Sequence, residues 1–409
     1  MVLGDFLKSG HKPTLVSAFV YSDMSFMAWV LLGPLAVHIG RDLQLTADQQ
    51  YTLAAIPLLS GALLRIPLGL AVDRFGPLRT GLLCQLVVML ALFTAYNGGI
   101  QSLAGLYGLG GFLGIAGTSM VVALPLASRW YPDQYQGLAL GVAGAASSGT
   151  VFAALFAPSL AESYGWHAVL GLALIPLLFT FLLYLFTAQD APLKPIARPA
   201  SEAGSTRFRQ VLADADVWWF MRFYAVAFGG VVALASVLVL YFHQQYHLAP
   251  ATAGYFAAAC ILAGSALRPV GGWLADRLGG IRSLQLQFAV VAASTFLVSF
   301  SPPAQFIAML LLMLGMAALG MASGAVFQLV PLRFRKDVGA TVGMIGAAGG
   351  MGGFLLAELL GKSKTLTADF QAGFLVFAGL ALLCLLGVRR VRSRWRTTWG
   401  AAALTTARV

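Results

Sequence analysis

Charged side chains are scarce in this sequence. They make up 10% of its 409 residues, against 59% hydrophobic, where ordinary soluble domains carry about 25% charged residues. A soluble globule of that composition could not cover its own surface, so lipid is the solvent these side chains fit. The apolar stretches also lack alternation of apolar and polar residues, which argues against the strands of a membrane barrel and leaves helices. Cysteine is limited to Cys84, Cys260 and Cys384, each inside an apolar run and none at metal-ligand or CxxC spacing. No disulfide framework, metal or cofactor is expected. There is no Walker A loop, HExxH or nucleophile elbow, so an enzyme is the least expected class. Acidic residues number 15 against 26 basic ones, a net charge of +11. On a soluble protein that excess would suggest nucleic acid, but here the positions of the charges decide otherwise.

Twelve apolar runs are long enough to cross a bilayer, which needs about 20 residues of helix. In the first half they are Thr14–Ile39, Gln50–Val72, Thr80–Tyr96, Leu103–Leu126, Gly137–Leu160 and His167–Thr187. In the second they are Val217–Phe242, Thr252–Ala275, Leu284–Phe300, Gln305–Val330, Val338–Leu360 and Phe370–Val388. The first run exceeds a signal-peptide core and is expected to stay as a helix. The organisation expected is a six-helix bundle over 1–187, a Pro-, Ala-, Ser- and charge-rich linker over 188–216, a second six-helix bundle over 217–388 and a basic tail over 389–409. With the N-terminus cytoplasmic, 21 of the 26 basic residues face inward; Arg41, Lys362 and Lys364 face outward, and Arg65 and Arg268 lie within spans. This asymmetry predicts a multi-pass protein of the inner membrane with both termini in the cytoplasm. It also assigns the positive excess to anionic lipid rather than to nucleic acid.

The chain repeats itself. Leu59-Ser60-Gly61-Ala62-Leu63-Leu64-Arg65-Ile66-Pro67, followed by Gly69, Asp73-Arg74, Gly76 and Arg79, matches Leu262-Ala263-Gly264-Ser265-Ala266-Leu267-Arg268-Pro269, followed by Gly272, Asp276-Arg277, Gly279 and Arg282. Arg65 and Arg268 are 203 positions apart, as are Asp73 and Asp276. Gly144-Ala145-Ala146 matches Gly346-Ala347-Ala348 at a spacing of 202, within one residue of the same offset. Two parallel six-span halves place a substrate site near the midplane, between them.

Arg65 and Arg268 are the central pair. Each sits in an otherwise apolar span, where a guanidinium costs at least about 2.5–3.5 kcal/mol. Arginine keeps its proton, and its planar fork suits planar oxyanions. Two forks from opposite halves could hold a flat, three-oxygen anion. The alternative is a structural arginine paired with a carboxylate or with helix-end carbonyls. Glycines crowd the fifth span (Gly137, Gly141, Gly144, Gly149) and the eleventh (Gly343, Gly346, Gly349, Gly350, Gly352, Gly353). Close helix packing accounts for most of them, and a few could border the anion.

The Asp73-Arg74 and Asp276-Arg277 segments resemble the signature loops of the major facilitator superfamily, which lock helix ends on the cytoplasmic side. Further segments narrow the resemblance: Ser25-Phe26-Met27-Ala28-Trp29, Gly61-Ala62-Leu63-Leu64-Arg65-Ile66-Pro67, Ser128-Arg129-Trp130-Tyr131-Pro132, Ala266-Leu267-Arg268-Pro269-Val270-Gly271-Gly272, Val326-Phe327-Gln328-Leu329-Val330-Pro331 and Gly346-Ala347-Ala348-Gly349-Gly350. Along nearly its whole length the chain resembles the nitrate/nitrite porters of that superfamily. The resemblance implies an all-α membrane fold of twelve helices and secondary transport of nitrate or nitrite by a rocking motion, with no enzymatic activity and a monomeric chain. By it, Arg65 and Arg268 clamp the anion, Tyr224 adds a hydroxyl donor, Phe26 and Phe228 line or gate the site, and Gly144 and Gly346 border it. Three positions depart from the family pattern. Met120 stands where Phe is frequent, and Ser147 (or Ser148) and Ser323 stand where Asn is frequent.

For coupling, Asp23 in the first span is the candidate proton carrier, with a carboxylate bonded to helix backbone as its structural alternative; an exchanger would need no such group. Transport of another small or organic anion is the alternative within the same class, and a non-transporting anion sensor the alternative outside it.

Overall fold

The computed structural model describes residues 9–132, 139, 143, 147–191, 211–334 and 338–399. Among these, eleven helical segments are long and apolar enough to cross a membrane. The remaining expected span, Gly137–Leu160, lies partly outside the described residues, and its described part is the helix Gly149–Tyr164. The architecture is that of twelve membrane helices in two halves of six.

The internal repeat reaches down to single backbone conformations. The residues with left-handed φ among those described are Gln44, Gly76, Gly98, Gly165, His247, Gly279, Ser301 and Ala368. They form four pairs, Gln44 with His247, Gly76 with Gly279, Gly98 with Ser301 and Gly165 with Ala368, each 203 positions apart. Every such residue ends a helix, where the chain must reverse between spans. At Gly76 and Gly279, φ is 85° and 93° with ψ at 155° and 137°. A Cβ is not tolerated there, so these two turns require glycine.

The spans differ in how much of themselves they expose. The first span, Lys12–Asp42, and the seventh, Ala215–Tyr246, are largely buried, whereas the third and sixth turn leucine and phenylalanine outward. The outward faces match lipid, while the first and seventh spans lie at the centre, and the halves pack on each other mainly through the second and eleventh spans and through the fifth and eighth. Several spans break mid-membrane: the first at Leu31, the fourth at Gly117–Thr118, and the eighth at Leu267, just before Arg268-Pro269. Each break releases backbone groups that need partners near the centre of the protein.

Contacts between halves run from the face opposite the basic loops down to the central layer. Asp48 pairs with Lys362 at 3.9 Å, and the Tyr51 hydroxyl donates to Gln244 at 3.4 Å. The Ala251 N–H donates to the Glu162 carboxylate at 3.1 Å. Nearer the centre, the Ser265 hydroxyl donates to the Ser147 carbonyl at 3.1 Å. The protein is therefore closed toward that opposite face.

On the basic face, charges join helices of the same half. Asp216, with its side chain 7% exposed, accepts from Arg333 Nε at 2.8 Å, from Trp395 Nε1 at 2.7 Å and from Arg394, while Arg333 also bonds Asp214. This cluster explains a departure from the expected tail. The last helix does not stop at Val388 but runs from Gln371 to Thr397. Removing the acid would leave the half-exposed Arg394 without its carboxylate and the Trp395 N–H without its acceptor, and would leave Arg333 with Asp214 alone. Asp216→Ala is therefore expected to cost about 2 kcal/mol of stability. Thermal unfolding of the detergent-purified protein checks this, and an unchanged midpoint would rule out a stabilising role for the cluster.

Candidate functional site

Arg65 lies in the second span, Ala47–Phe75, between Pro57 and Pro67, and is 4% exposed. Its Nη2 donates to the Gly117 carbonyl at 3.1 Å, and its Nη1 donates to the Gly346 carbonyl. The break in the fourth span makes the first of these available. In an unbroken helix the Gly117 carbonyl would take the Val121 N–H, which here goes to Thr118 at 2.8 Å. Arg65 thus ties its own half to the eleventh span of the other, and its buried Nε has no hydrogen-bond partner among the described residues. A Cβ at Gly346 would lie 2.8 Å from Nη1, so the guanidinium would have to shift from its present place to admit one.

Arg268 opens the helix Arg268–Leu278 and is 7% exposed. Its Nη2 donates to the Tyr224 hydroxyl at 2.9 Å. Neither arginine forms an ion pair with a carboxylate among the described residues. What sits between them is aromatic. Both guanidinium carbons lie 5.4 Å from the centroid of the Phe228 ring. Tyr224 stacks on the same ring at 5.0 Å and 7°. Trp29 lies 5.7 Å from the Arg65 guanidinium, and Phe327 lies 5.8 Å from that of Arg268. Cation–π attraction returns part of the desolvation cost of each arginine. It does not cancel the repulsion of two like charges at low dielectric, which is on the order of a few kcal/mol. An anion between them would cancel it.

A small cavity of about 10 Å³ adjoins Arg268, lined by Phe26, Phe228, Ser147, Thr150 and Ser323 among others. That is space for about one water molecule. The structure thus brings together Arg65, Arg268, Tyr224, Phe26, Phe228, Ser147, Ser323 and Gly346. Ser323 spends its hydroxyl on the Leu319 carbonyl of its own helix, at 2.9 Å. Met120 is buried near Gly117 but is not among the described residues lining the cavity. Gly144 lies outside the described residues. Asp23 is 4% exposed and caps the helix Gly149–Tyr164: its carboxylate accepts from the Gly149 N–H at 2.9 Å and from the Ser148 hydroxyl at 2.9 and 3.0 Å. The two serines left open at this position therefore divide their roles, Ser147 at the cavity and Ser148 on Asp23.

The Asp-Arg segments occupy last helical turns rather than loops. Asp73 meets Arg129 of its own half at 3.8 Å, Arg74 lies over the ring of Phe75, and Arg277 lies over Trp273 at 4.1 Å. For Asp276 no partner is described. Trp166, at the start of the sixth span, is 4% exposed and donates to Asp42 at 2.9 Å. Three residues of the site were not singled out by sequence: Trp29, Gly117 and Phe327. Trp29 follows Phe26 by one helical turn, a spacing that could have assigned it to the same face.

Two membrane-embedded halves with a charged, aromatic centre between them define a transporter and not an enzyme. The profile of the Major Facilitator Superfamily matches residues 18–357. The "Nitrite extrusion protein" of Bacillus subtilis (strain 168) is 32% identical over 358 residues, 87% of this chain and 88% of that one. The "Probable nitrate/nitrite transporter NarK2" of Mycobacterium tuberculosis (strain CDC 1551 / Oshkosh) is 32% identical over 380 residues, 91% of this chain and 95% of that one. A solved D-xylose-proton symporter superposes with a TM-score of 0.71 at 13% identity, covering 92% of this chain and 95% of its own, and so shares the fold. The chain belongs to the Major Facilitator Superfamily and, within it, to the family of nitrate/nitrite porters.

Proposed function

We propose that this protein carries nitrate or nitrite across the cytoplasmic membrane, by rocking of two bundles, 1–187 and 217–388, about an anion held between Arg65 and Arg268. The observation that carries this reading is the approach of two guanidiniums, one from each half and neither ion-paired to a carboxylate among the described residues, to the single ring of Phe228. An anion entering there satisfies Arg65 Nε, competes with the Gly117 and Gly346 carbonyls for the Nη atoms, and takes the Tyr224 hydroxyl as a further donor. Binding thereby loosens the tie between Arg65 and the eleventh span, which links occupancy to movement of the halves. The basic face is the cytoplasmic one, so the closed face is the outer one. The Asp73 and Asp276 segments would lock the helix ends when the cytoplasmic side closes. The cycle works in the lipid bilayer on the anion, driven either by protons carried at Asp23 or by a counter-anion, with the chain acting as a monomer.

Flux into proteoliposomes tests this, with nitrate outside and either an acid-outside gradient or internal nitrite. Uptake that needs the gradient and is lost in Asp23→Asn identifies nitrate–proton symport through Asp23. Uptake that needs only internal nitrite, and that persists in Asp23→Asn at a cost of about 1 kcal/mol in stability, identifies exchange with Asp23 as a helix cap. Absence of flux in both, with a carboxylate displacing a bound anion, would transfer the site to another anion class.

A further inference from the structure

The side chain that shapes the Arg65 half of the site is Trp29. It is fully buried, and its indole N–H donates to the Pro57 carbonyl at 2.7 Å. Pro57 lies two turns before Arg65 on the second span, so the indole is anchored to the helix that carries the arginine. The plane of the ring is held from two further sides. Phe26 meets it edge-on at 5.2 Å and 85°, and Phe228 of the other half stacks against it at 6.4 Å and 22°. Two glycines leave room for it. A Cβ at Gly61 would press on Nε1 at 3.0 Å, and a Cβ at Gly117 would run into the ring itself. Gly117 is also the residue whose carbonyl accepts from Arg65 Nη2. One indole therefore touches the guanidinium, the helix that bears it, the segment whose carbonyl it bonds, and the aromatic ring shared with Arg268.

From this we infer that Trp29 is a positioning residue for anion binding, setting the plane of the Arg65 fork through its bond to Pro57 and its contact with Gly117. The inference rests on the anion site proposed above and adds what fixes its geometry. A planar fork recognises an oxyanion by two parallel bonds, so a tilt weakens binding even though the charge remains. A residue that only filled space would affect stability and protein yield while leaving affinity intact.

Nitrate and nitrite dissociation constants of the purified protein, read beside thermal unfolding and beside the KM and maximal rate of flux, separate these roles. Trp29→Phe keeps a flat ring and loses the N–H anchor. It is expected to raise both the dissociation constant and KM about tenfold, with the unfolding midpoint close to wild type. Gly61→Ala keeps the tryptophan while pressing on its Nε1 and on the Gly114 carbonyl, and is expected to raise the same constants about threefold, which keeps the test open should the phenylalanine variant fail to fold. Dissociation constants unchanged in the folded variants, with only the midpoint lowered, would overturn the positioning role while leaving the anion site standing. Wild-type protein that binds neither anion would instead overturn the site, and this inference with it.

Discussion

Lysine in place of Arg268 abolishes anion uptake, and lysine in place of Arg65 does the same. At equal amounts of protein in the membrane, initial rates about 100-fold below wild type are expected for each, from the loss of roughly 3 kcal/mol of charge-assisted hydrogen bonding. Charge is kept in both variants, so the loss isolates geometry. Arg65 uses two nitrogens on carbonyls of two different spans and has a third buried without a partner among the described residues. An ammonium is a point charge with three rotatable donors and cannot span those directions. Arg268 holds Tyr224 with one nitrogen while bordering the cavity; lysine could do one or the other. The measurement is initial-rate uptake in proteoliposomes. A rate near wild type in either variant would show that the fork is dispensable and that the arginine is structural.

The second large effect is expected far from any charge. Gly33 of the first span lies against the Ser236 carbonyl of the seventh, where a Cβ would collide with backbone. No rotamer change relieves a clash with a main-chain oxygen, so Gly33→Ala must push the two halves apart on the closed face. Overpacking of this kind costs about 1–3 kcal/mol, and the cost falls only on the conformation in which the halves touch. The equilibrium should therefore move toward the alternative state by about 10-fold or more. Maximal flux should fall while anion affinity, set deeper in the protein, changes little. The check is labelling of a cysteine placed near this contact by an impermeant reagent from the outer side. Faster labelling in Gly33→Ala is the expected result, and equal labelling would show that the contact does not hold the outer face shut.

Much of this protein was legible before any coordinates, for a reason rooted in its solvent. In lipid, a span must satisfy its own backbone and face the bilayer with apolar residues. Composition alone therefore separates helices from loops, and the few charges left inside spans stand out. The offset of 203 residues between Arg65 and Arg268 carried the two-half organisation, and the left-handed residues later repeated it pair by pair. The helix that runs on to Thr397 was not legible. Its extended end is bonded through Arg394 and Trp395 to Asp216, which is some 180 residues away in sequence and becomes its neighbour only on folding.

By itself, the amino-acid sequence determined the membrane class, the repeat, the central arginine pair and its resemblance to nitrate/nitrite porters, because each is written in local composition or in a fixed spacing. Tertiary structure decided the rest. It showed that Arg65 reaches across to Gly346 and that Phe228 serves both arginines. It also showed that Asp23 caps a helix start and that Trp29 reaches four parts of the site at once. These depend on where helices break and how closely they cross. Distances of a few ångströms between residues hundreds of positions apart follow from packing of the whole, which no local pattern records.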